Sequence, residues 1–344
     1  MDQLRWKVLD VVPETDDAAT FFLENESGSA VRYQAGQFLT LLFQHHGLDI
    51  RRSYSLSSTP GIDRHCSITV KRKPNGEISR FLLDRVKPGD ALVSLQPAGR
   101  FTVETDPALQ RRFFFIAAGS GIVPVFSLLK KILAEEPLAE IVLIYQNHDE
   151  RHIIFREELE KMSEANRSRF NYIRLLSAPR DHTKSPLRLT NFLLEQFVSL
   201  LVSPEKETLF YLCGPLPFMR MAQFTLRLLG FSEEQIRKEI FTVDFIPPPP
   251  LMTDYGSKRV IIHFQGRTRA IQTSYPKNIL QAALDHHIQL PYSCRSGRCS
   301  TCLARCVRGT VLMSMNEVLT DRDLEEGLVL TCVGYAATDV ELQF

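Results

Sequence analysis

Two different rhythms of apolar residues divide most of the chain, and a third texture closes it. Over residues 1–105, short stretches alternate apolar with polar positions, as in 37–43 (QFLTLLF) and 66–70 (CSITV). A period of two sends successive side chains to opposite faces of a strand. Turn-forming residues punctuate these stretches: Ser27-Gly28, Pro60-Gly61, Pro74-Asn75-Gly76 and Pro88-Gly89-Asp90. Short strands broken in this way predict an antiparallel sandwich or barrel.

Over 106–243 the alternation gives way to continuous apolar runs at 113–118 (FFFIAA), 141–145 (IVLIY) and 209–212 (LFYL). Runs of that length suit strands buried on both faces, and helical patterns such as 125–134 and 155–162 lie between them. Strands alternating with helices predict a doubly wound parallel sheet. Residues 244–258 contain four consecutive prolines, Pro247 to Pro250, and no periodicity, and so read as a semi-rigid linker. Residues 259–344 form the last domain, which is nearly neutral.

Composition narrows the class without naming a chemistry. The 344 residues are 44% hydrophobic and 24% charged, with a net charge of +1, as in an ordinary globular protein of two or three domains. That balance gives no electrostatic case for nucleic acid. No apolar run is long enough for a membrane span, and the first residues lack the core of a signal peptide. Seven cysteines, an odd number, speak against a disulfide framework and for a reducing, cytoplasmic setting.

Four of those cysteines carry the strongest chemical signal. Cys294, Cys299 and Cys302 read C-x4-C-x2-C, and Cys332 follows after a long gap. This is the spacing by which plant-type ferredoxins hold a [2Fe–2S] cluster in four thiolates. A structural zinc site is the alternative, but zinc modules usually present two close pairs. Cys306 and Cys66 read as buried free thiols.

Weaker motifs lie upstream. Arg52-Ser53-Tyr54-Ser55 places Arg52 and Tyr54 on one face of a strand and Ser55 on the other. An arginine fork suits a pyrophosphate and a phenol can lie against a ring system, although an edge strand alone would look similar. Gly76-Glu77-Ile78-Ser79 precedes a short helix, so Ser79 marks a phosphate site, a helix cap, or both. Gly119-Ser120-Gly121-Ile122-Val123-Pro124 joins an apolar strand to a helix, and Cys213-Gly214-Pro215 does the same later. Both turns would line one crevice beyond the carboxyl ends of the strands. Each could also be a packing turn.

In order, these motifs resemble the ferredoxin–NADP reductase superfamily, and most closely the phenylacetyl-CoA oxygenase reductase type with its C-terminal ferredoxin domain. The resemblance spans essentially the whole chain. It implies a flavin-binding β-barrel over 1–105, an NAD(P)-binding α/β domain over 106–243 and a β-grasp (α+β) ferredoxin domain over 259–344. It assigns Arg52, Gly76 and Ser79 to the FAD pyrophosphate side, with FMN the alternative flavin, and Tyr54 and Ser55 to the isoalloxazine. It assigns Gly119, Gly121 and Pro124 to the dinucleotide, Cys213 and Gly214 to the nicotinamide, and Phe241, after Glu239, to the flavin face. His148 stands where relatives often carry arginine. With Arg151 and Arg180 it forms a cationic set that leans the coenzyme from NADH toward NADPH.

The function implied is electron transfer from NAD(P)H through flavin and the [2Fe–2S] cluster to an acceptor protein, an oxygenase component of the phenylacetyl-CoA type. A Rieske oxygenase or a hybrid-cluster protein is the alternative acceptor. A redox-sensing, partner-binding iron–sulfur protein is the competing class. No acid/base dyad is required, because the cofactors perform the redox chemistry.

Overall fold

A computed structural model describes residues 3–45, 48–183, 185–203, 206–241, 247–252, 254 and 256–344. The chain divides into two compact units, Gln3–Ile240 and Phe241–Phe344. Within the stretch read as a linker, residues 244–246, 253 and 255 lie outside the described residues. No described helix is long and apolar enough to cross a membrane.

The first unit opens with strands β1 (Leu4–Thr15), β2 (Ala18–Asn25), β3 (Phe38–His45), β4 (Leu48–Ser55) and β5 (Cys66–Lys71). Helix α1 (Glu77–Arg85) and strand β6 (Ala91–Ser94) follow. All pairings are antiparallel, in the order β4-β3-β6-β1-β2-β5. A bridge between Leu56 and Ile68 joins the two outer strands and closes the sheet into a barrel. The inward positions of the alternating stretches fill it: Trp6, Phe21, Leu23, Leu39, Leu41, Leu56 and Ile68 are all buried. Each such side chain contributes roughly 1.5–3 kcal/mol of hydrophobic stabilisation. The Trp6 indole N–H is not stranded among them, because it donates to Ser94 Oγ at 2.8 Å.

The second half of this unit runs β7 (Arg112–Ala118), α2 (Ile122–Glu135), β8 (Glu140–Asn147), α3 (Arg156–Ala165), β9 (Phe170–Leu176), α4 (Asn191–Leu201), β10 (Thr208–Cys213), α5 (Leu216–Leu228) and β11 (Ile236–Glu239). Its five strands are parallel, in the order β11-β10-β7-β8-β9. Every residue of the central strand β7 is buried, which explains why its sequence is a run and not an alternation. Phe113 and Phe115 enter the core on one face and Phe114 and Ile116 the core on the other. Thr190 caps α4 by accepting from Leu193 N at 3.2 Å.

Barrel and parallel sheet are fastened by buried and part-buried polar contacts. Thr59 Oγ1 donates to Ser127 O at 2.9 Å, and Ser127 Oγ donates to Ser58 O at 2.6 Å. Lys130 pairs with Asp63, and Tyr211 Oη donates to Thr102 O at 3.1 Å. Phe101 meets the Tyr211 ring edge-on at 5.3 Å.

The second unit contains β12 (Lys258–Phe264), β13 (Arg267–Thr273), α6 (Ile279–Asp285), β14 (Leu303–Arg308), β15 (Val311–Met313), α7 (Asp321–Glu325), β16 (Leu328–Leu330), β17 (Gly334–Ala336) and β18 (Val340–Gln343). The main sheet has the order β13-β12-β18-β14-β16, with β12 and β18 parallel and the other neighbours antiparallel. Ile279, Leu280, Ala282 and Ala283 of α6 share one buried core with Val260, Ile262, Ile271 and Leu342 of the sheet. A helix packed across such a mixed sheet is the β-grasp arrangement. Asn278 caps α6, its Oδ1 accepting from Gln281 N at 2.8 Å.

Candidate functional site

The cluster loop is built by backbone conformation before any side chain is considered. Arg295 and Ser300 adopt positive φ of 54°, and Gly297 one of 73°. A Cβ on Gly297 would also lie 2.8 Å from Met315 O, so only glycine fits there. These reversals turn the chain around its own sulfurs. Ser296 N and Arg298 N lie 3.4 and 3.5 Å from Cys294 Sγ, and Cys294 N lies 3.5 Å from Cys299 Sγ. Cys302 and Cys332 are buried, and Cys294 and Cys299 are partly buried. Thr331 N donates to Cys302 O at 3.2 Å, bringing the distant Cys332 to the triplet.

The sulfurs act on one another in pairs, Cys294 with Cys299 and Cys332, and Cys302 with Cys332. Hydrogen bonding with Cys299 and Cys332 holds the Cys294 thiol well below its ordinary value. Cys302 is also held low, first by Cys332, while the partners Cys299 and Cys332 are pushed up in turn. Thiolate, not thiol, is the metal-binding form. Cys294 and Cys299, with main-chain N–H groups aimed at their sulfurs, and Cys302 and Cys332 beside them have the chemistry of an iron–sulfur donor set. Ser296 Oγ is fully enclosed in this loop and has no hydrogen-bond partner among the described residues. Cys306 is half-exposed, its thiol donating to Arg308 O at 3.3 Å, away from the four.

In the first unit the sheet order reverses between β7 and β10, so the turns after these strands face one crevice. Gly121 packs directly on the turn after β10: a Cβ there would lie 2.1 Å from Cys213 O. Gly119 has φ +54°, and together they form the 3-10 turn entering α2. No side chain caps the N-terminus of α2, and Pro124 sits in its first turn. Open N–H groups at that helix end, with glycine backbone beside them, fit a dinucleotide pyrophosphate.

Ser55, Cys213 and Glu239 come together at this crevice. Ser55 Oγ donates to Glu239 Oε2 at 2.9 Å, and Cys213 and Glu239 are register partners on β10 and β11. Burial raises the Glu239 carboxyl to about 8 against the lowering effect of the Ser55 hydrogen bond. Cys213 is fully buried, and burial, then Glu239, pushes its thiol well up. It is a neutral thiol packed at the site and not a nucleophile. Glu239 has a role here that the sequence did not assign, although its place in Glu239-Ile240-Phe241 was a signal.

The flavin-side residues divide. Tyr54 is half-buried; burial raises its phenol and the charge of Arg52 acts against that. The two residues lie two apart on one strand, β4, and so share one of its faces. Arg52 is exposed, with Nη1 donating to Arg51 O at 2.8 Å. A solvent-facing guanidinium beside a half-buried phenol fits a flavin's phosphate and ring ends. Ser79 is buried, and its hydroxyl accepts from Lys73 N at 3.1 Å and donates to Gly76 O at 3.3 Å. It thus closes the turn before α1, with Gly76 as the cap residue.

Around the end of β8, Arg151 pairs with Asp149 at 3.2 Å and with Asp16 at 3.7 Å. His148 Nδ1 lies 3.5 Å from Ser177 Oγ. Arg180 N donates to Glu150 at 2.9 Å. Phe241 is 41% exposed and groups with the second unit.

Comparison with known proteins gives three family matches. An oxidoreductase FAD-binding domain matches residues 7–103, an oxidoreductase NAD-binding domain matches 115–223, and a 2Fe-2S iron-sulfur cluster binding domain matches 262–337. The ferredoxin reductase component of 3-ketosteroid-9-alpha-monooxygenase from Mycolicibacterium smegmatis is 31% identical over 98% of this chain and 95% of its own. A component of the 1,2-phenylacetyl-CoA epoxidase of Escherichia coli is 30% identical over 98% of this chain and 96% of its own. Among solved structures, phthalate dioxygenase reductase superposes with a TM-score of 0.61 at 24% identity, covering 99% of this chain and 98% of that one.

Proposed function

Because this chain belongs to the ferredoxin–NADP reductase superfamily, in the branch ending in a [2Fe–2S] domain, we propose that it draws electron pairs from NAD(P)H and delivers them singly to an oxygenase component. The observation that carries the reading is the cysteine loop with N–H groups on the Cys294 and Cys299 sulfurs, Cys332 brought beside it, in one chain with a flavin- and nucleotide-type unit. The domains are 1–105 for FAD, 106–243 for NAD(P), 244–258 as linker and 259–344 for the cluster.

When bound, FAD accepts the hydride's two electrons and the cluster carries them one at a time. The chain's part is to bind, orient and exclude water. Arg52 and the start of α1 around Gly76 and Ser79 hold the flavin pyrophosphate, and Tyr54 lies along the ring. Gly119, Gly121 and Pro124 seat the coenzyme phosphates, with Gly214 completing the crevice. Ser55, Cys213 and Glu239 wall the nicotinamide end, where the neutral forms of Glu239 and Cys213 keep net charge away from the transferring centre. Cys294, Cys299, Cys302 and Cys332 hold the cluster.

The acceptor is an oxygenase of the phenylacetyl-CoA epoxidase type, a reading supported by the relative of nearly equal length. The coenzyme is NAD(P)H. The cytoplasm suits thiolate ligands, which a reducing compartment protects. The test is the anaerobically purified protein: a brown-yellow spectrum, two irons per chain, extractable FAD, and steady NAD(P)H turnover with cytochrome c are expected. A colourless protein without iron or flavin would end the proposal.

A further inference from the structure

The cysteine loop contains two serines, and the fold treats them differently. Ser300 Oγ donates to Cys299 O at 2.7 Å, so its hydrogen-bonding need is met by the protein. Ser296 is wholly buried, at 0% exposure, and its Oγ has no partner among the described residues. A buried hydroxyl left without a partner is costly, and folded proteins rarely leave one. Its own main-chain N–H is 3.4 Å from Cys294 Sγ, which fixes the residue against a ligand sulfur. The hydroxyl thus has no partner within the described protein, while the residue's own backbone lies against a ligand sulfur.

We infer that Ser296 Oγ–H donates a hydrogen bond to a sulfur of the bound [2Fe–2S] cluster, making Ser296 a positioning residue that sets the cluster's reduction potential. The inference rests on the reading of the four cysteines as cluster ligands. Reduction adds one electron, and so negative charge, to the iron and sulfur atoms. A donor aimed at them favours the reduced form and raises the potential. Arg298, 6% exposed in the same loop, adds positive charge in the same sense.

The experiment is a dye-mediated redox titration of the full chain, followed by the cluster's electron paramagnetic resonance signal, for wild type, Ser296→Ala and Ser296→Thr. Iron content is measured in each. Loss of one neutral hydrogen bond should shift the one-electron equilibrium of Ser296→Ala toward oxidation by about three- to tenfold. At 59 mV per tenfold, that lowers the potential by about 30–60 mV. Ser296→Thr, which keeps the hydroxyl, should recover most of the shift. Ser300→Ala, whose hydroxyl is already used on Cys299 O, should move it little.

An iron-loaded Ser296→Ala with the wild-type potential would overturn the inference and show that a buried water satisfies the hydroxyl. A shift shared equally by Ser300→Ala, or loss of iron from Ser296→Ala alongside a Ser296→Thr potential unlike wild type, would also overturn it by making the serine a scaffold. Wild-type protein without iron would instead strike at the cluster reading itself, and iron analysis separates the two failures.

Discussion

Ser55 Oγ donates to Glu239 Oε2 at 2.9 Å, tying the last residue of a barrel strand to the last residue of a parallel-sheet strand across 184 positions of sequence. One hydrogen bond thus joins the flavin side to the nucleotide side, and it acts to lower a carboxyl which burial drives up to about 8.

Removing the donor should move that titration further up. In Ser55→Ala the pH dependence of NAD(P)H–ferricyanide turnover should shift to higher pH than in wild type. Turnover at neutral pH, where Glu239 is already mostly neutral, should stay within about twofold of wild type, the loss appearing only at higher pH. An unchanged profile in a folded variant would detach Ser55 from Glu239 chemistry.

Glu239 also leaves a mark on stability. Its folded value lies above the ordinary 4.5, so the folded chain keeps a proton that the unfolded chain releases. The neutral form's contribution is complete below about pH 4.5 and is lost as pH rises to about 8. Glu239→Gln cannot titrate, so its melting temperature should exceed the wild-type value increasingly from pH 5.5 to 8.5. A pH-independent gap between the two would show that the carboxyl titrates normally.

Cys302→Ser should separate the two halves of the relay. Cys302 is buried in the second unit's core and its carbonyl anchors Thr331, so losing its sulfur disables the cluster site. Reduction of cytochrome c should be abolished while NAD(P)H–ferricyanide activity, which needs the first unit only, stays within about twofold of wild type. Equal loss of both would contradict the order of transfer.

Gly121→Ala asks the crevice to admit a methyl group 2.1 Å from Cys213 O. Backbone must move, and overpacking of that kind costs about 1–3 kcal/mol. We expect kcat/KM for NAD(P)H to fall at least about tenfold and the melting temperature to drop. An intact KM would show that the turn relaxes without disturbing the coenzyme.

Local chemistry was legible in the sequence, and chemistry assembled by the fold was not. The cysteine triplet is visible because its three ligands lie within one short loop. The buried run at Phe113 to Ala118 is visible because a central parallel strand has no wet face. Glu239 reads only as the end of a domain, because its partner Ser55 meets it through tertiary folding. Ser79, read as marking a phosphate site, a helix cap or both, has a hydroxyl engaged by Lys73 N and Gly76 O in the adjoining turn, a contact that spacing alone does not show. Nor does spacing reveal that Ser296 and Ser300, both small and hydroxylated, have opposite hydrogen-bonding fates.

The seat of Gly121 against the Cys213 carbonyl is a joint between main chains, not between side groups. Such a floor is indifferent to most exchanges of neighbouring residue type, so substitution can rework the surroundings while the platform beneath the coenzyme stays put. On the proposed reading, a change of preference from one pyridine nucleotide to the other would leave that platform alone and be sought at His148, Arg151 and Arg180.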